Sequence, residues 1–253
     1  MPIPQPEYTP GDTGWFVRDR FGLFVHWGIY SAAARHEWVK QSEKLIDMVR
    51  NINPDVLINN RSGVPQEFHT PEQFAPRGWL RVGGKPVVWE ACQTLDESWG
   101  YDRDNLDRKS PDLLVRMLID SVTNGGNQLL NVGPRRGAGS TPQALSILSD
   151  VGGWMKVHSR SIYGCTMSDL TPPPDCRYTH NPDTKRLYVH VFAWPLKHLH
   201  LDGLKGRVEY AQFLNDASEI KTVDMTAWVQ SSAVYHKEAT RSAAETLTLE
   251  LPI

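Results

Sequence analysis

Candidate catalytic residues lie at the ends of short apolar runs in the sequence. His26 follows the run 21–25, and Glu90 follows the run 86–89. Unbroken apolar runs of this length are typical of parallel strands, and the carboxyl ends of such strands collect the ligands of α/β proteins. We therefore expect both side chains to face a ligand site, although a lone histidine is more often a buried side chain bonded to the backbone.

An arginine and several indole rings accompany these residues. Arg61 ends the apolar run 56–59, and Trp99 lies on the loop that follows Glu90. A guanidinium can form a forked pair with a ligand or a carboxylate, but at a strand end it most often makes a structural salt bridge. The chain has 9 tryptophans, and their flat apolar faces suit the apolar face of a sugar ring as well as a protein core.

Glu72 has a structural and a functional interpretation. It stands in the segment Thr70-Pro71-Glu72, which is typical of the first turn of a helix. The helix dipole stabilises an acid there without any catalysis, so the local sequence alone favours the structural role.

Composition and charge exclude several function classes. The chain carries 27 basic and 29 acidic side chains, a net charge of -2 and no block of like charges, so no nucleic acid partner is expected. The apolar runs are too short to span a membrane and the N-terminus has no apolar core of a signal peptide, which predicts a cytoplasmic protein; secretion through a leader is the alternative. The 3 cysteines, at unrelated spacings, indicate reduced thiols and no metal site.

The two parts of the chain have different apolar patterns. Up to about residue 165, apolar runs alternate with helical segments, which predicts an α/β layer structure with parallel strands. The predicted strands are 21–25, 56–59, 86–89 and 128–132, and the predicted helices start near Ser42, Ser110 and Thr141. After the prolines at 172–174, period-2 runs at 187–192 and 247–251 predict a small antiparallel β domain.

Seven motifs, taken in order, closely resemble those of the α-L-fucosidases of glycoside hydrolase family 29. They are 20–31, 37–38, 54–61, 70–72, 89–92, 98–101 and 126–134. The resemblance implies a truncated (β/α) barrel-like catalytic domain over residues 1–165 and a C-terminal antiparallel β-sandwich domain over 166–253. It also implies an exo-glycosidase that removes terminal α-L-fucose from fucosylated glycans or aryl fucosides, with no metal or organic cofactor.

The same resemblance assigns roles to individual residues. The family binds fucose with a histidine, a glutamate, an arginine and an aromatic ring, which here are His26, Glu37, Arg61 and Trp99, with Trp27 and Trp38 as pocket walls. The general acid/base of the family is a glutamate whose position differs between members, and the two positions correspond to Glu72 and Glu90. We expect Glu90 to be the acid, because the apolar rings of Trp89 and Trp99 would raise its pKa.

The chain departs from the family between Trp38 and Pro54. Family members carry there several strand and helix units, which include a histidine pair and the aspartate nucleophile, and Asn60 replaces the aspartate of the Asn-Asp-Arg motif. Double displacement needs a second carboxylate about 5–5.5 Å from the acid, and inversion needs one about 6.5–9.5 Å away. By default that role falls to one of the acids near the motifs, Glu72, Glu90, Asp96 or Glu97. A catalytically inactive fucose-binding module derived from a fucosidase is therefore the alternative function.

The deletion also affects the assembly that we expect. About 165 residues cannot hold eight strand–helix pairs, since a full barrel takes roughly 250. Four or five parallel strands would leave open edges and an apolar face on a monomer. The sequence therefore predicts a homo-oligomer, a dimer or a dimer of dimers, with its interface near residues 35–41.

Overall fold

The computed structural model describes residues 13–25, 42–62, 67–134, 139–225 and 245–253. It is a mixed α/β structure with several sheets. The chain divides into two compact units, one of residues 1–167 with 179–186 and the other of residues 168–178 with 187–253.

The helices and strands are as follows in chain order. The helices are α1 (Gly14–Asp19), α2 (Ser42–Ile52), α3 (Pro111–Thr123) and α4 (Pro142–His158), with 3₁₀ turns at Asn60–Ser62 and Ser159–Ser161. The first strands are β1 (Phe21–Val25), β2 (Arg81–Val82), β3 (Lys85–Pro86), β4 (Glu90–Thr94), β5 (Asn127–Val132) and β6 (Thr166–Met167). The others are β7 (Cys176–Asn181), β8 (Arg186–Val191), β9 (His198–Leu201), β10 (Ala211–Gln212), β11 (Glu219–Val223) and β12 (Leu247–Glu250). No described helix is both long enough and apolar enough to cross a bilayer.

A parallel three-stranded sheet of order β1-β5-β4 forms the centre of the first unit. Two further segments extend it beyond β4 through single parallel bridges, in which Glu72 pairs with Cys92 and Asn59 pairs with Phe68. Strands β4 and β5 are almost entirely buried. Helix α3 packs against β5 and against α4, and its Leu114 and Leu118 are buried. The predicted strands at 21–25 and 128–132 are thus confirmed.

The ends of α3 are fixed by local capping contacts, as the sequence predicts. The Ser110 hydroxyl accepts a hydrogen bond from the Leu113 amide across 3.2 Å, and Pro111 occupies the first helical position. At the other end Gly125 adopts a φ of 82°, which a side chain would disfavour. The next glycine has a different reason, because a Cβ at Gly126 would overlap the indole of Trp89.

Two predicted strands are wrong in position. Residues 56–59 form no strand, because the Asn59 side chain accepts from the Arg61 amide across 3.2 Å and turns the chain into the 3₁₀ turn. The predicted strand 86–89 lies later in the chain, as β4, so Glu90 begins a strand instead of following one. Apolar character marked the buried stretch, but the pairing continues into polar residues that are equally buried.

The predicted helix start at Glu72 is also wrong. The Cys92 amide donates to the Pro71 carbonyl and the Gln73 amide donates to the Cys92 carbonyl, each across 2.9 Å. These bonds hold residues 71–73 beside β4, where Glu72 forms the bridge with Cys92. The structural explanation for Glu72, an acid in a first helical turn, therefore does not apply.

Arg20 is a buried cation at the start of β1. It is 1% exposed, and its Nε donates to the Cys165 carbonyl across 2.7 Å. Its Nη1 lies 3.3 Å from the Gly125 carbonyl and 3.2 Å from Oδ1 of Asn127. Burial lowers the pKa of Arg20 to about 10. The hydrogen bonds of Arg20 thus connect the start of β1 to the start of β5 and to the segment after α4.

The second unit is built from antiparallel strands, as its period-2 pattern predicts. A four-stranded sheet has the order β10-β11-β12-β9, and each neighbouring pair of its strands is antiparallel. Its core consists of Cys176, Tyr178, Leu199, Leu201, Leu204, Leu249 and Leu251. Elsewhere the chain forms a three-stranded sheet of order β6-β7-β8, whose β6 belongs to the first unit. All three cysteines of the chain are unpaired and buried.

Candidate active site

Arg61 stands at the centre of a group of polar side chains. It lies on the 3₁₀ turn after the Asn59 bridge and forms an ion pair with Glu72, with the two side chains 38% and 48% exposed. Its guanidinium carbon lies 5.9 Å from the centroid of the Trp99 ring. A cation at that distance from an indole face is attracted by the ring. Arg61 is therefore held between a carboxylate and an aromatic ring while still reaching solvent.

Glu90 is a buried carboxyl group near this cation. It is the first residue of β4 and is 7% exposed. Burial raises its pKa to about 7, although the positive charge of Arg61 and the hydroxyl of Thr70 both oppose the rise. The Thr70 hydroxyl donates to Oε1 of Glu90 across 3.5 Å. A carboxyl group in this state can both donate and accept a proton at neutral pH.

Cys92 connects the two glutamates, and the sequence interpretation did not include it. Because side chains alternate along a strand, Glu90 and Cys92 lie on the same face of β4, and Cys92 forms the bridge with Glu72. Burial raises the pKa of the Cys92 thiol, with Arg61 opposing the rise and both glutamates adding to it. Arg61, Glu72, Glu90, Cys92 and Trp99 are hereafter the Arg61 cluster.

The loop that carries Trp99 is held by the residues at the end of β5. The Asn131 side chain donates to the Trp99 carbonyl across 2.8 Å. A Cβ on Gly133 would overlap the backbone of Gly100 and Tyr101, so only glycine lets the two segments approach this closely. These contacts give a structural reason for the Asn-Val-Gly sequence at 131–133.

A buried ion pair supports the segment that leads to Arg61. Glu67 is fully buried, its Oε1 lies 2.6 Å from Nη2 of Arg50 in α2, and its Oε2 accepts from the Ile58 amide across 3.0 Å. Sequence reasoning missed Glu67 because it lies in no motif and no apolar pattern. The pair fixes the backbone three residues before Arg61, and therefore contributes to the position of that side chain.

The structure brings together four of the eight predicted site residues. Arg61, Trp99, Glu72 and Glu90 lie in or beside one cluster. His26, Trp27, Glu37 and Trp38 lie outside the described residues. Within the described part of the chain, no three His, Cys, Asp or Glu side chains are arranged to hold a metal ion. The cluster offers proton transfer from a carboxyl group, a cation for polar ligand groups and an indole for an apolar ring face.

Comparison with known proteins shows which family this scaffold resembles. The profile of the α-L-fucosidase family matches residues 38–160, slightly less than half of the chain. Over that stretch the chain is similar to the α-L-fucosidases. Plasma alpha-L-fucosidase of Homo sapiens is 35% identical over 116 residues, which are 44% of this chain and 25% of the relative. The resemblance seen in the motifs is confirmed.

Solved fucosidase structures share the fold. Alpha-L-fucosidase isoenzyme 1 from Paenibacillus thiaminolyticus superposes with a TM-score of 0.73 at 30% identity, over 92% of this chain and 54% of that one. An alpha-L-fucosidase GH29 from Bacteroides thetaiotaomicron gives a TM-score of 0.66 at 22% identity, over 83% of this chain and 48% of that one. The chain therefore spans about half the length of these fucosidases.

Proposed function

We propose that the chain is a glycosidase that hydrolyses terminal α-L-fucose from fucosylated glycans or aryl fucosides. The observation that carries the proposal is Glu90, whose pKa is raised to about 7 beside the cation of Arg61 on a fucosidase-like scaffold. An acid with that pKa is about half protonated at neutral pH. It can give a proton to a leaving oxygen and then take one from water.

In this proposal Glu72 is the second carboxylate. Its bridge to Cys92 places it on the segment next to β4, two residues further along than Glu90. Adjacent strands lie about 4.8 Å apart and rise about 3.3 Å per residue, so the two Cα atoms are roughly 8 Å apart. Both glutamates act on the same thiol, Cys92, which supports their lying on one face. Side chains whose Cα atoms are this far apart can bring their carboxyl groups to within about 5–9.5 Å of each other, the separation that flanks the reacting carbon of a sugar.

Sugar binding is proposed for the remaining site residues. Arg61 would donate to fucose hydroxyls, and the Trp99 indole would cover an apolar face of the ring. His26, Glu37, Trp27 and Trp38 complete the proposed pocket by resemblance to the family. The proposed partner is thus a fucosylated carbohydrate, and the name of the similar proteins, α-L-fucosidase, supports this proposal.

The domain arrangement is likewise a proposal. The first strand of the parallel series, β1, pairs with the last one, β5, although more than a hundred residues separate them. First and last strands are neighbours when a (β/α) barrel closes. We propose that residues 1–165 form a truncated barrel-like domain and that residues 166–253 form a β-sandwich.

Hydrolysis and binding by the full chain test the proposed function together. We expect release of the aryl group from an aryl α-L-fucoside, and calorimetric binding of L-fucose that Arg61→Ala weakens by about 1–3 kcal/mol, since a desolvated hydroxyl loses its donor. Lys197→Ala is the matched control, because Lys197 also forms a half-exposed ion pair, with Glu250. Binding without turnover would favour the inactive fucose-binding module. Neither binding nor turnover would contradict both functions.

We also propose that the chain forms a homo-oligomer, a dimer or a dimer of dimers. Within the described residues β1 pairs only with β5, and an open strand edge favours pairing with another chain. Two-fold pairing with a second copy is the commonest way to cover such an edge. Sedimentation equilibrium at micromolar concentration should give at least twice the chain mass of 28.6 kDa. A 28.6 kDa species with full activity would contradict the proposal.

A further inference from the structure

Thr70 lies directly beside the proposed proton donor. It is 8% exposed, and its hydroxyl is 3.5 Å from Oε1 of Glu90. Among the described residues, no other side chain forms a hydrogen bond with this carboxyl group. Because Oε1 already receives a donor, the acidic proton of Glu90 is best placed on Oε2. The hydroxyl therefore distinguishes the two oxygens of the carboxyl group.

The backbone around Thr70 is fixed on both sides. The Thr70 amide donates to Oδ1 of Asn60 across 3.0 Å. The Glu90 amide donates to the His69 carbonyl and the Cys92 amide donates to the Pro71 carbonyl, each across 2.9 Å. The residues before and after Thr70 are thus pinned to β4, while Asn60 holds Thr70 itself. The position of the hydroxyl is set by the fold and not by a side-chain rotamer alone.

We propose that Thr70 is a positioning residue for Glu90, whose hydroxyl holds Oε1 so that Oε2 presents the proton to the leaving oxygen. Asn60, which stands where the family has an aspartate, assists by holding the Thr70 amide. The inference rests on the proposed function. In the step itself the proton moves from Oε2 to the glycosidic oxygen, which keeps the electron pair of the breaking C–O bond. The sugar carbon bonds either to a carboxylate oxygen of Glu72 or to a water oxygen whose proton passes to Glu72, and Thr70 stabilises the Glu90 carboxylate that forms.

This role predicts a change in pH dependence when the hydroxyl is removed. The groups that act on Glu90 are the cation of Arg61 and the hydroxyl of Thr70. Glu90 itself acts on the neighbouring thiol of Cys92, as does Glu72 on the adjacent segment. A donor to the carboxylate favours the ionised form, so its loss raises the pKa of Glu90. Since the acid acts in its protonated form, the fall of kcat/KM on the alkaline side moves to higher pH. One lost hydrogen bond of this kind corresponds to about 0.5–1 pH unit.

Thr70→Val and Thr70→Ser provide the test in the full chain. Valine should move the alkaline limb upward and reduce kcat more than it changes KM, whereas serine should keep the wild-type profile. Thr179→Val is the matched control, because Thr179 is also a buried threonine, whose hydroxyl donates to the Ser161 carbonyl across 2.7 Å. If valine prevents folding, Thr70→Ala gives the same readout.

Titration of the Glu90 carboxyl by carbon NMR, assigned with Glu90→Gln, separates this inference from the proposed function. A higher Glu90 pKa in Thr70→Val, with Thr70→Ser and Thr179→Val unchanged, supports the inference even on a chain that hydrolyses nothing. An unchanged Glu90 pKa in Thr70→Val overturns it, even if the wild type is an active fucosidase. Absence of hydrolysis by the wild type would contradict the proposed function alone.

Discussion

Glu90→Gln is expected to lose about 10²–10⁴-fold in kcat/KM on a fucoside with a poor leaving group, and far less on an activated aryl fucoside. A poor leaving group needs a proton as the C–O bond breaks, whereas the phenolate of a phenol with a low pKa leaves without one. In the wild type, kcat/KM should fall as the pH rises through about 7, the raised pKa of Glu90. In Glu90→Gln this alkaline limb should be absent.

Two further variants show whether a loss of activity in Glu90→Gln identifies Glu90 as the acid. Glu250→Gln is the control, because Glu250 is ion-paired, as Glu72 is, but lies in the second unit, and we expect it to retain full activity. If Glu72→Gln shows the leaving-group dependence instead, the acid is Glu72. Equal losses on both substrates in Glu90→Gln and in Glu72→Gln would contradict both assignments.

The raised pKa of Glu90 has a consequence for stability as well. Its value is about 7 in the folded chain against an ordinary value of 4.5, so the folded state binds the proton more tightly than the unfolded one. The corresponding stabilisation is complete below pH 4.5 and is lost as the pH rises through about 7. Glu90→Gln should remove this part of the pH dependence of unfolding, which denaturant titrations at pH 5 and pH 8 would detect without any substrate.

The sequence predicted the elements whose signals are local. The capping residues Ser110 and Thr141 mark the starts of α3 and α4 because each side chain accepts from a backbone amide three residues on. The strand at 21–25 could also be predicted locally, because an unbroken apolar run of this length is typical of a parallel strand. Such features depend on neighbours within one turn or one strand.

The local sequence did not predict how the site residues meet. Glu90 was expected at the end of a strand and Glu72 in a helix, but Glu90 begins β4 and Glu72 lies on the segment beside it, joined to β4 by a bridge at Cys92. That bridge depends on backbone bonds between residues about twenty positions apart, which no apolar pattern encodes. The family resemblance brought Glu72, Glu90, Arg61 and Trp99 together as candidates, while the support from Glu67 and Thr70 became visible only in the structure.

The burial of Arg20, which bears on the stability of the fold, could not be predicted from the local sequence either. An arginine before an apolar run is typical of a strand flank at the surface, and the sequence gives no reason to bury it. Its burial depends on three oxygens supplied by Cys165, Gly125 and Asn127, which lie more than a hundred residues further along the chain. None of these partners is a carboxylate, so the cation is held by hydrogen bonds to neutral oxygens.

Arg20→Met is therefore expected to lower the free energy of unfolding by about 3 kcal/mol. Methionine preserves much of the volume and removes the cost of burying a charge, which offsets part of the loss. The three oxygens, however, remain buried without their donor, and each unmet acceptor costs about 1–3 kcal/mol. The cost of leaving three acceptors without a donor exceeds the gain from no longer burying one charge, so the substitution lowers the free energy of unfolding. The midpoint of thermal unfolding should fall by about 6–12 °C, since 1 kcal/mol corresponds to about 2–4 °C at this chain length.

Arg18→Met, two residues away on the exposed face of α1, is the control and should change stability by less than about 0.5 kcal/mol. Arg20→Lys keeps the charge but offers one ammonium in place of a planar fork, so it cannot reach all three oxygens and should fall between wild type and Arg20→Met. If Arg20→Met unfolded like the wild type, the hydrogen bonds would only compensate for burying the cation. If Arg20→Lys were as stable as the wild type, the positive charge at this position would contribute more to stability than the hydrogen bonds of the planar guanidinium. Those hydrogen bonds would then not be what connects β1, β5 and the segment after α4.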